Sequence, residues 1–293
     1  MPLFVVGAGA AGTALALALR RTEWPLHSLV SRTRAKAEER SRQVGGGAAL
    51  ALDELLAGDL PREPVLLLLS VPDRLLESLA AQLARLSWPG GVALHLSGSA
   101  ELATLAPLRA AGFALGAAHP LHSFVDPERD ADALTRAVIA VEAEAAARAQ
   151  LQAFTSALGA RAFQLAPGSR AAWHAAATHG CNHLVALLDQ SLDLMQSAGL
   201  PRDDARAALL PLLRATLDNL EHHAPAQALT GPVVRGDVEV VTRHLDALSH
   251  EHIDVARGYR ALARRALQLA EHGRALDPTL ADALRRALAE PSS

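Results

Sequence analysis

Hydrophobic and polar positions follow two different patterns along the chain. In the first part, short apolar runs of four to six residues alternate with longer amphipathic segments. The apolar runs predict strands at 3–6, 26–31, 48–51, 65–70, 92–96, 113–118, 137–141 and 161–165. Val65–Ser70 is almost uninterrupted in its apolar character, which is typical of a parallel strand covered on both faces. Strands that alternate with helices predict an α/β fold with a doubly wound parallel sheet.

After residue 167 the strand pattern disappears. Apolar positions now recur at helical spacing, and they predict helices at 169–198, 203–220, 238–248, 250–272 and 278–288, with a loop at 230–237. We therefore expect a Rossmann domain over residues 1–167 and an all-α C-terminal domain over residues 168–293. The long apolar helices also predict a homodimer that forms through the helical domain.

The first predicted strand leads into a glycine-rich turn and then a helix. This turn has the spacing G-x-G-x-x-G and comprises Gly7, Ala8, Gly9, Ala10, Ala11 and Gly12. In this setting the first glycine allows the tight turn, the second lets a pyrophosphate approach, and the third lets the helix pack on the sheet. A bare match could also be a loop or a helix end, but the strand–turn–helix context favours a bound dinucleotide.

The residues at the end of the second strand indicate which dinucleotide the protein binds. An NAD enzyme usually carries Asp or Glu here to bind the ribose 2′-hydroxyl. This chain has Ser31, Arg32 and Thr33, with Arg34 and Lys36 just beyond. Cations and hydroxyls suit a 2′-phosphate, so the sequence predicts NADP (as NADP⁺ or NADPH), although a solvated basic turn is the alternative.

Polar residues also follow the later strands. Parallel strands direct their carboxyl ends to one edge of the sheet, where ligands bind. The residues expected there are Ser70, Val71, Pro72 and Ser97 for the cofactor, Ser99 and His122 for the substrate, and His119 for catalysis. Asp73 is expected to cap the next helix. The serines could instead satisfy backbone groups, and the two histidines could bond neighbouring loops.

The first helix after residue 168 carries an unusual polar stripe. Helical spacing puts His174, Thr178, Cys181 and Asn182 on one face of an otherwise Ala- and Leu-rich segment. We expect His174 to act as a general acid, Asn182 to orient the substrate and Thr178 to contact it. Hydrogen bonds between helices of a dimer are the alternative. Cys181 is interpreted as a packing residue.

Composition narrows the classes of function. The 293 residues are 50% hydrophobic and carry a formal net charge of −3, so no basic face for nucleic acid is expected. One cysteine and no H-E-x-x-H pattern give no metal site. No apolar stretch is long enough for a signal or membrane helix, so we expect a soluble, cytoplasmic protein that binds a small-molecule substrate and not a membrane.

Three motifs together carry a resemblance to a known family. They are Ala228–Asp237 (A-L-T-G-P-V-V-R-G-D), His119–Phe124 (H-P-L-H-S-F) and the helix from Trp173-His174 to Cys181-Asn182. The chain resembles the family that joins a Rossmann-like NAD(P) domain to a helical domain of unknown function numbered 2520. It is distantly similar to pyrroline-5-carboxylate reductase, ketopantoate reductase and the 3-hydroxyacid dehydrogenases.

The resemblance implies an NADP-dependent oxidoreductase acting on a small carbonyl or imine compound. Asn182 matches an asparagine of the 3-hydroxyacid dehydrogenases, whose catalytic lysine four residues earlier is replaced here by Thr178. In such relatives the loop holding Arg235 approaches the substrate, although Arg235 and Asp237 could simply form a salt bridge. The missing lysine leaves a non-catalytic NADP-binding regulatory or partner module as the alternative function.

Overall fold

The computed structural model of the chain describes residues 1–22, 24–248, 252–273 and 276–289. The chain folds into two compact units, Met1–His183 and Leu184–Ser293. Each unit is described below by itself.

An eight-stranded sheet forms the centre of the first unit. Its strands are β1 (Leu3–Val6), β2 (Leu26–Ser31), β3 (Ala48–Ala51), β4 (Val65–Leu69), β5 (Gly91–His95), β6 (Phe113–Pro120), β7 (Val138–Ala143) and β8 (Arg161–Gln164). They lie in the order β3-β2-β1-β4-β5-β6-β7-β8. The predicted α/β fold with a doubly wound sheet is confirmed.

The sheet is not parallel throughout, because β7 pairs antiparallel with β6. The chain leaves β6 at Pro120, passes through the helical segment Pro127–Arg136 and re-enters the sheet in the opposite direction. The other neighbouring pairs are parallel. The carboxyl ends of β1, β2, β4, β5 and β6 therefore share one edge of the sheet.

Helices cover both faces of this sheet. They are α1 (Ala10–Arg20), α2 (Arg34–Val44), α3 (Leu52–Ala57), α4 (Asp73–Leu83), α5 (Pro127–Ala133) and α6 (Arg148–Ala157), with 3₁₀ turns at Leu102–Arg109, Leu134–Arg136 and Ala145–Ala147. Helix α7 (Arg170–Gly180) follows β8. Every residue of β4 is fully buried. Alternate residues of this strand enter two different hydrophobic clusters, one on each face, as its unbroken apolar pattern predicts.

The expected single helix over 169–198 is wrong, because α7 ends at Gly180 and α8 (Asn182–Ser197) begins after Cys181. Gly180 is a weak helix former. Cys181 has φ −117° and ψ −66°, which interrupts the helical geometry. Thr178 and Asn182 therefore belong to different helices, and the single polar face expected across them is interrupted.

The second unit contains α8 from Leu184 onward and the helices that follow it. These are α9 (Arg202–His222), α10 (Pro225–Ala228), α11 (Pro232–Arg235), α12 (Val238–Leu248), α13 (Ile253–Gly273) and α14 (Pro278–Ala287). The short helix α11 lies inside the segment expected to be a loop. Residues 250 and 251, where the fourth helix was expected to begin, lie outside the described residues. Within the described ranges, no helix is both long enough and apolar enough to cross a membrane.

Apolar burial in the second unit is concentrated in α11 to α14, where Val241, Leu245, Leu267 and Leu284 belong to one cluster. Helix α9 differs, since Ala205 is the only buried residue among its 21 described positions. Leu212, Leu217 and Leu220 on α9 are exposed.

Candidate active site

The glycine-rich turn has the close packing that its sequence predicts. Gly7 has φ +111°, a conformation that favours glycine, and a Cβ there would overlap the carbonyl oxygen of Ser70. A Cβ on Gly12 would overlap the carbonyl oxygen of Gly7. Gly9 is different, because no described atom lies within 4 Å of the position its Cβ would occupy. Gly7 and Gly12 thus bring strand and helix together, and Gly9 leaves open space in front of the turn.

The amino end of α1 adjoins this open space. Gly9 precedes the helix as its N-cap, no side chain of the described residues caps the helix, and its first turn contains no acidic residue. The N–H groups of a first helical turn have no partner within the helix and carry partial positive charge. Ala10 and Ala11 therefore offer N–H groups suited to an anion such as a pyrophosphate.

A cleft of about 470 Å³ lies at the carboxyl ends of β1, β2 and β4. We call it the cofactor cleft. Of the predicted cofactor residues, it is lined by Gly7, Ala8, Gly9, Ser31, Arg32, Ser70, Val71 and Pro72. Lys36 and Arg74 also line it, and among its described lining residues there is no carboxylate. Arg74 is a cation that the sequence reasoning missed.

Neighbouring basic residues are engaged elsewhere. Arg34 pairs with Glu38 and Glu54, which raises the pKa of its guanidinium through hydrogen bonds to both carboxylates. The hydroxyl of Thr33 accepts a hydrogen bond from the backbone N–H of Lys36 at 3.4 Å and caps α2. Lys36 Nζ binds both carboxylate oxygens of Glu39, so Arg32 is the cation of this turn that lines the cofactor cleft without a carboxylate partner among the described residues.

Asp73 connects the cofactor cleft to the next strand. Its Oδ2 atom accepts hydrogen bonds from the hydroxyls of Ser97 and Ser99, both at 2.6 Å. Burial acts to raise the pKa of Asp73, but these two hydrogen bonds and the nearby histidines lower it below its usual value. Asp73 was expected to cap α4, but Pro72 is the N-cap and the carboxylate binds these serines instead.

His119, near the end of β6, and His174, within α7, come together. Their ring centroids are 5.5 Å apart in an edge-to-face arrangement. The indole Nε1 of Trp173 donates a hydrogen bond to Nδ1 of His119 at 3.2 Å. A Cβ on Gly98 would overlap Nδ1 of His174 and lie 2.8 Å from Cε1 of His119. We call His119 and His174 the imidazole pair.

Arg170 and His95, both fully buried, adjoin the imidazole pair and were not predicted from the sequence. Arg170 donates to the carbonyl oxygen of Ser97, and its Nη1 lies 3.6 Å from Oε2 of Glu142. Burial, assisted by the charge of Arg170, lowers the pKa of His95 to about 3. Burial, followed by the charges of His174 and Arg170, lowers the pKa of His119 to about 4.

Three other predicted site residues have different surroundings. His122 hydrogen-bonds through Nε2 to Asp130 at 3.1 Å and packs edge-on against Phe124. Asn182 is exposed at the start of α8. Arg235 forms a salt bridge to Asp237 at 2.8 Å in the second unit. Their proposed contacts with substrate stay predictions.

Two protein-family models match the chain. One is a Rossmann-like domain at residues 2–120 and the other is the domain of unknown function DUF2520 at residues 137–266. A search of curated proteins gives no match.

Solved structures provide a likeness over nearly the full length. A candidate NADP oxidoreductase from Bacteroides fragilis is 25% identical, with a TM-score of 0.74 over 91% of this chain and 98% of that one. An imine reductase from Myxococcus stipitatus, solved with NADP⁺, is 19% identical, with a TM-score of 0.61 over 99% of this chain and 100% of that one.

A reductive aminase from Aspergillus terreus, solved with NADPH and ethyl levulinate, is also 19% identical, with a TM-score of 0.61 over 97% of this chain and 98% of that one. At these two lower identities the likeness shows a shared fold. The chain therefore consists of a Rossmann-like domain followed by a DUF2520 domain.

Proposed function

We propose that the protein is an NADP-dependent oxidoreductase that transfers a hydride to or from the carbon of a small carbonyl or imine compound. The observation that carries the proposal is the adjacency of two features at one sheet edge. The cofactor cleft at β1, β2 and β4 contains cations and no carboxylate within the described residues, and the imidazole pair stands by the next strands, β5 and β6.

The residues of the cofactor cleft fit a dinucleotide with a 2′-phosphate. The open space before Gly9 and the free end of α1 suit the pyrophosphate. Arg32 suits a 2′-phosphate, and Ser31 adds a hydroxyl donor. Lys36 lies at the same edge, with its Nζ 2.9 Å from Oε2 of Glu39. When bound, NADPH would supply the hydride, and the protein would supply orientation, electrostatics and a proton.

The imidazole pair would face the reacting group of the substrate. His119 and His174 converge on Gly98, whose missing side chain lets both rings pack directly against the backbone there. Asp73 holds the loop containing Ser97 and Ser99 through hydrogen bonds to both hydroxyls. This arrangement supports hydrogen bonding and proton transfer to a polarised C=O or C=N group.

Calorimetric titration and a reduction assay test the proposal. We expect NADPH to bind more tightly than NADH, and NADPH oxidation with some member of a panel of small ketones, aldehydes, keto acids and imines. His119→Ala and His174→Ala should lower turnover and leave NADPH binding intact. Tighter binding of NADH would contradict the NADP assignment.

A non-catalytic NADP-binding module is the second candidate. Thr178 favours it, because the resembling 3-hydroxyacid dehydrogenases have a catalytic lysine at this place. NADPH binding without turnover of any compound in the panel would support this candidate over the enzyme.

We also propose that the protein forms a homodimer through its helical domain. Support comes from the apolar residues that α8 and α9 expose, which include Val185, Leu212 and Leu217. Packing these side chains against a second copy of the chain would remove them from water. Light scattering of the purified protein should give twice the mass of the chain, and the mass of a monomer would refute the proposal.

A further inference from the structure

The indole of Trp173 determines which nitrogen of His119 carries a proton. An indole N–H can only donate, so Nδ1 of His119 must be the acceptor in the 3.2 Å hydrogen bond between them. The proton of the neutral imidazole is then on Nε2. No hydrogen-bond partner of Nε2 is found among the described residues, and His119 is partly exposed. His119 therefore offers a single N–H donor with a fixed direction.

The position of Trp173 is itself fixed. Its ring system stacks on Phe163 of β8, with 5.4 Å between centroids and an angle of 10° between planes. The hydrogen bond to His119 and this stacking constrain the indole on two sides. Trp173 is therefore a positioning residue that acts through His119.

The surroundings of His119 favour its neutral form. Burial and the charges of His174 and Arg170 all lower its pKa, to about 4, and only Asp73 opposes them. Arg170 is held in place by the Ser97 carbonyl and by Glu142. Near neutral pH, His119 is therefore an N–H donor that does not exchange its own proton with the substrate.

We propose that His119 is a fixed hydrogen-bond donor to a carbonyl oxygen, and that the substrate is a ketone, aldehyde or 2-oxo acid rather than an imine. This inference rests on the proposed oxidoreductase function and narrows it. A carbonyl oxygen has lone pairs that accept from Nε2–H, whereas the nitrogen of a protonated imine has none. Asp73, the carboxylate whose charge acts on His119 and His174, already accepts two serine hydroxyls at one oxygen.

The hydrogen bond from His119 matters most when negative charge develops on the carbonyl oxygen of the substrate. In reduction, a hydride from NADPH bonds to the carbonyl carbon, the π pair of the C=O bond moves to oxygen, and NADP⁺ is left. Nε2–H of His119 stabilises the oxyanion without giving up its proton. The oxyanion then takes a proton, through His174 or directly from solvent, to give the alcohol. Nδ1 of His174 is buried and has no hydrogen-bond partner within the described part of the chain.

Carbonyl and imine substrates of matched size test the substrate class. NADPH oxidation is measured with cyclohexanone and the six-membered cyclic imine piperideine, and then with small aldehydes and 2-oxo acids beside their imines. We expect kcat/KM at least tenfold higher for the carbonyl member of the best pair. Turnover of imines alone would overturn this inference and leave the oxidoreductase intact. Absence of turnover with every compound would overturn both.

Two variants and an NMR measurement test the role of His119. His119→Phe should lower kcat for the carbonyl substrate about 10²–10³-fold, the cost typical of losing one oxyanion donor. Trp173→Phe should keep the stacking on Phe163, lose the N–H donor and lower kcat about tenfold, with KM nearly unchanged. The matched controls are His27→Phe and Trp24→Phe. His27 lies near the amino end of β2, opposite the end that meets the cofactor cleft, and Nε1 of Trp24 has no partner in the described structure. Both should keep the activity of the parent.

Nitrogen-15 NMR of the histidines in the full-length protein reads the tautomer directly. We expect His119 to show a protonated Nε2 and an unprotonated Nδ1 from pH 8 to about pH 5, since its pKa is about 4. In Trp173→Phe this preference should weaken. A His119 protonated at Nδ1, or charged at pH 6, would overturn the proposal whatever the substrate assays show.

Discussion

The cofactor cleft and the imidazole pair share one edge of the sheet but are built in opposite ways. The cofactor cleft is formed by backbone conformation and partly exposed cations, and most of its residues lie within a few positions of a strand end. The imidazole pair depends on buried side chains from distant segments. Arg170, for example, reaches the carbonyl of Ser97 across 73 positions of sequence.

This difference predicts different sensitivities. A site made of backbone N–H groups depends on a few glycines and tolerates changes in side chains around them. A site made of buried ionisable groups depends on packing and on the charge of each neighbour, because the interior screens charges poorly. Mutations in the cofactor cleft should thus divide into folding and affinity effects, whereas those near the imidazole pair should alter chemistry and pH dependence.

The largest effect is expected at Gly7. Gly7→Ala places a Cβ against the Ser70 carbonyl at φ +111°, so we expect a loss of about 3 kcal/mol in the free energy of unfolding. Gly9→Ala is the matched control, because its Cβ meets no described atom within 4 Å. It should cost less than about 1 kcal/mol in stability and weaken NADPH binding. Urea unfolding and calorimetry check both, and equal losses of stability would contradict the distinction.

Gly98, which lies against the imidazole pair, should behave differently from Gly7. Gly98→Ala must displace His174, and with it the geometry beside His119, so kcat should fall roughly 10²-fold while the NADPH dissociation constant changes less than about twofold. Gly180→Ala, at the last residue of α7, is the control. The added Cβ has no described atom within 4 Å, so kcat should stay unchanged. A parallel loss of NADPH affinity in Gly98→Ala would mean that the two sites are not separable.

The cations of the cofactor cleft should control affinity alone. Arg32→Ala removes a charge-assisted hydrogen bond worth about 1.5–3 kcal/mol, so NADPH should bind roughly 10–100-fold more weakly while NADH is unaffected. Arg34→Ala is the control, since Arg34 already pairs with Glu38 and Glu54. Titrations with both nucleotides measure the effect. An equal loss for NADPH and NADH would show that Arg32 does not contact a 2′-phosphate.

The difference between the two sites also explains why the sequence predicted the cofactor cleft better than the imidazole pair. The strand, glycine turn and helix occupy Leu3–Arg20, so the residues that form the turn are also neighbours in sequence. The alternating strand and helix periods predicted the α/β fold correctly, but they do not specify the order of the strands in the sheet. The antiparallel entry of β7 was not, because its direction depends on how the Pro127–Arg136 segment packs and not on the pattern of the strand itself.

The imidazole pair was only partly predictable. His119 was expected from its place at a strand end, and His174 from its polar character on an Ala-rich helix. Arg170 had no such signal, because an arginine at the start of a helix is usually solvated. His95 lies in an apolar strand, and the pattern of that strand predicts core packing and nothing more. The stacking of Trp173 on Phe163 joins a helix to an edge strand, and sequence spacing does not specify that contact.

The smallest effect should appear only in acid, at His95. Its pKa is lowered from 6.5 to about 3 in the folded protein, so between these values the unfolded chain binds a proton that the folded chain does not. The free energy of unfolding therefore falls as the pH drops below about 6.5. Because both ring nitrogens are buried without partners in the described structure, His95→Leu removes this penalty and loses no hydrogen bond.

Unfolding by urea at two pH values measures that effect. His95→Leu should match the parent within about 1 kcal/mol at pH 7.5 and exceed it by about 2 kcal/mol at pH 5, since each pKa unit corresponds to about 1.4 kcal/mol. His222→Leu, at an exposed position on α9, should show no such difference between the two pH values. If His95→Leu and the parent lost stability equally in acid, then His95 would already be protonated or partnered in the folded protein. The imidazole pair would in that case be more hydrated, and closer in character to the cofactor cleft, than its buried charges indicate.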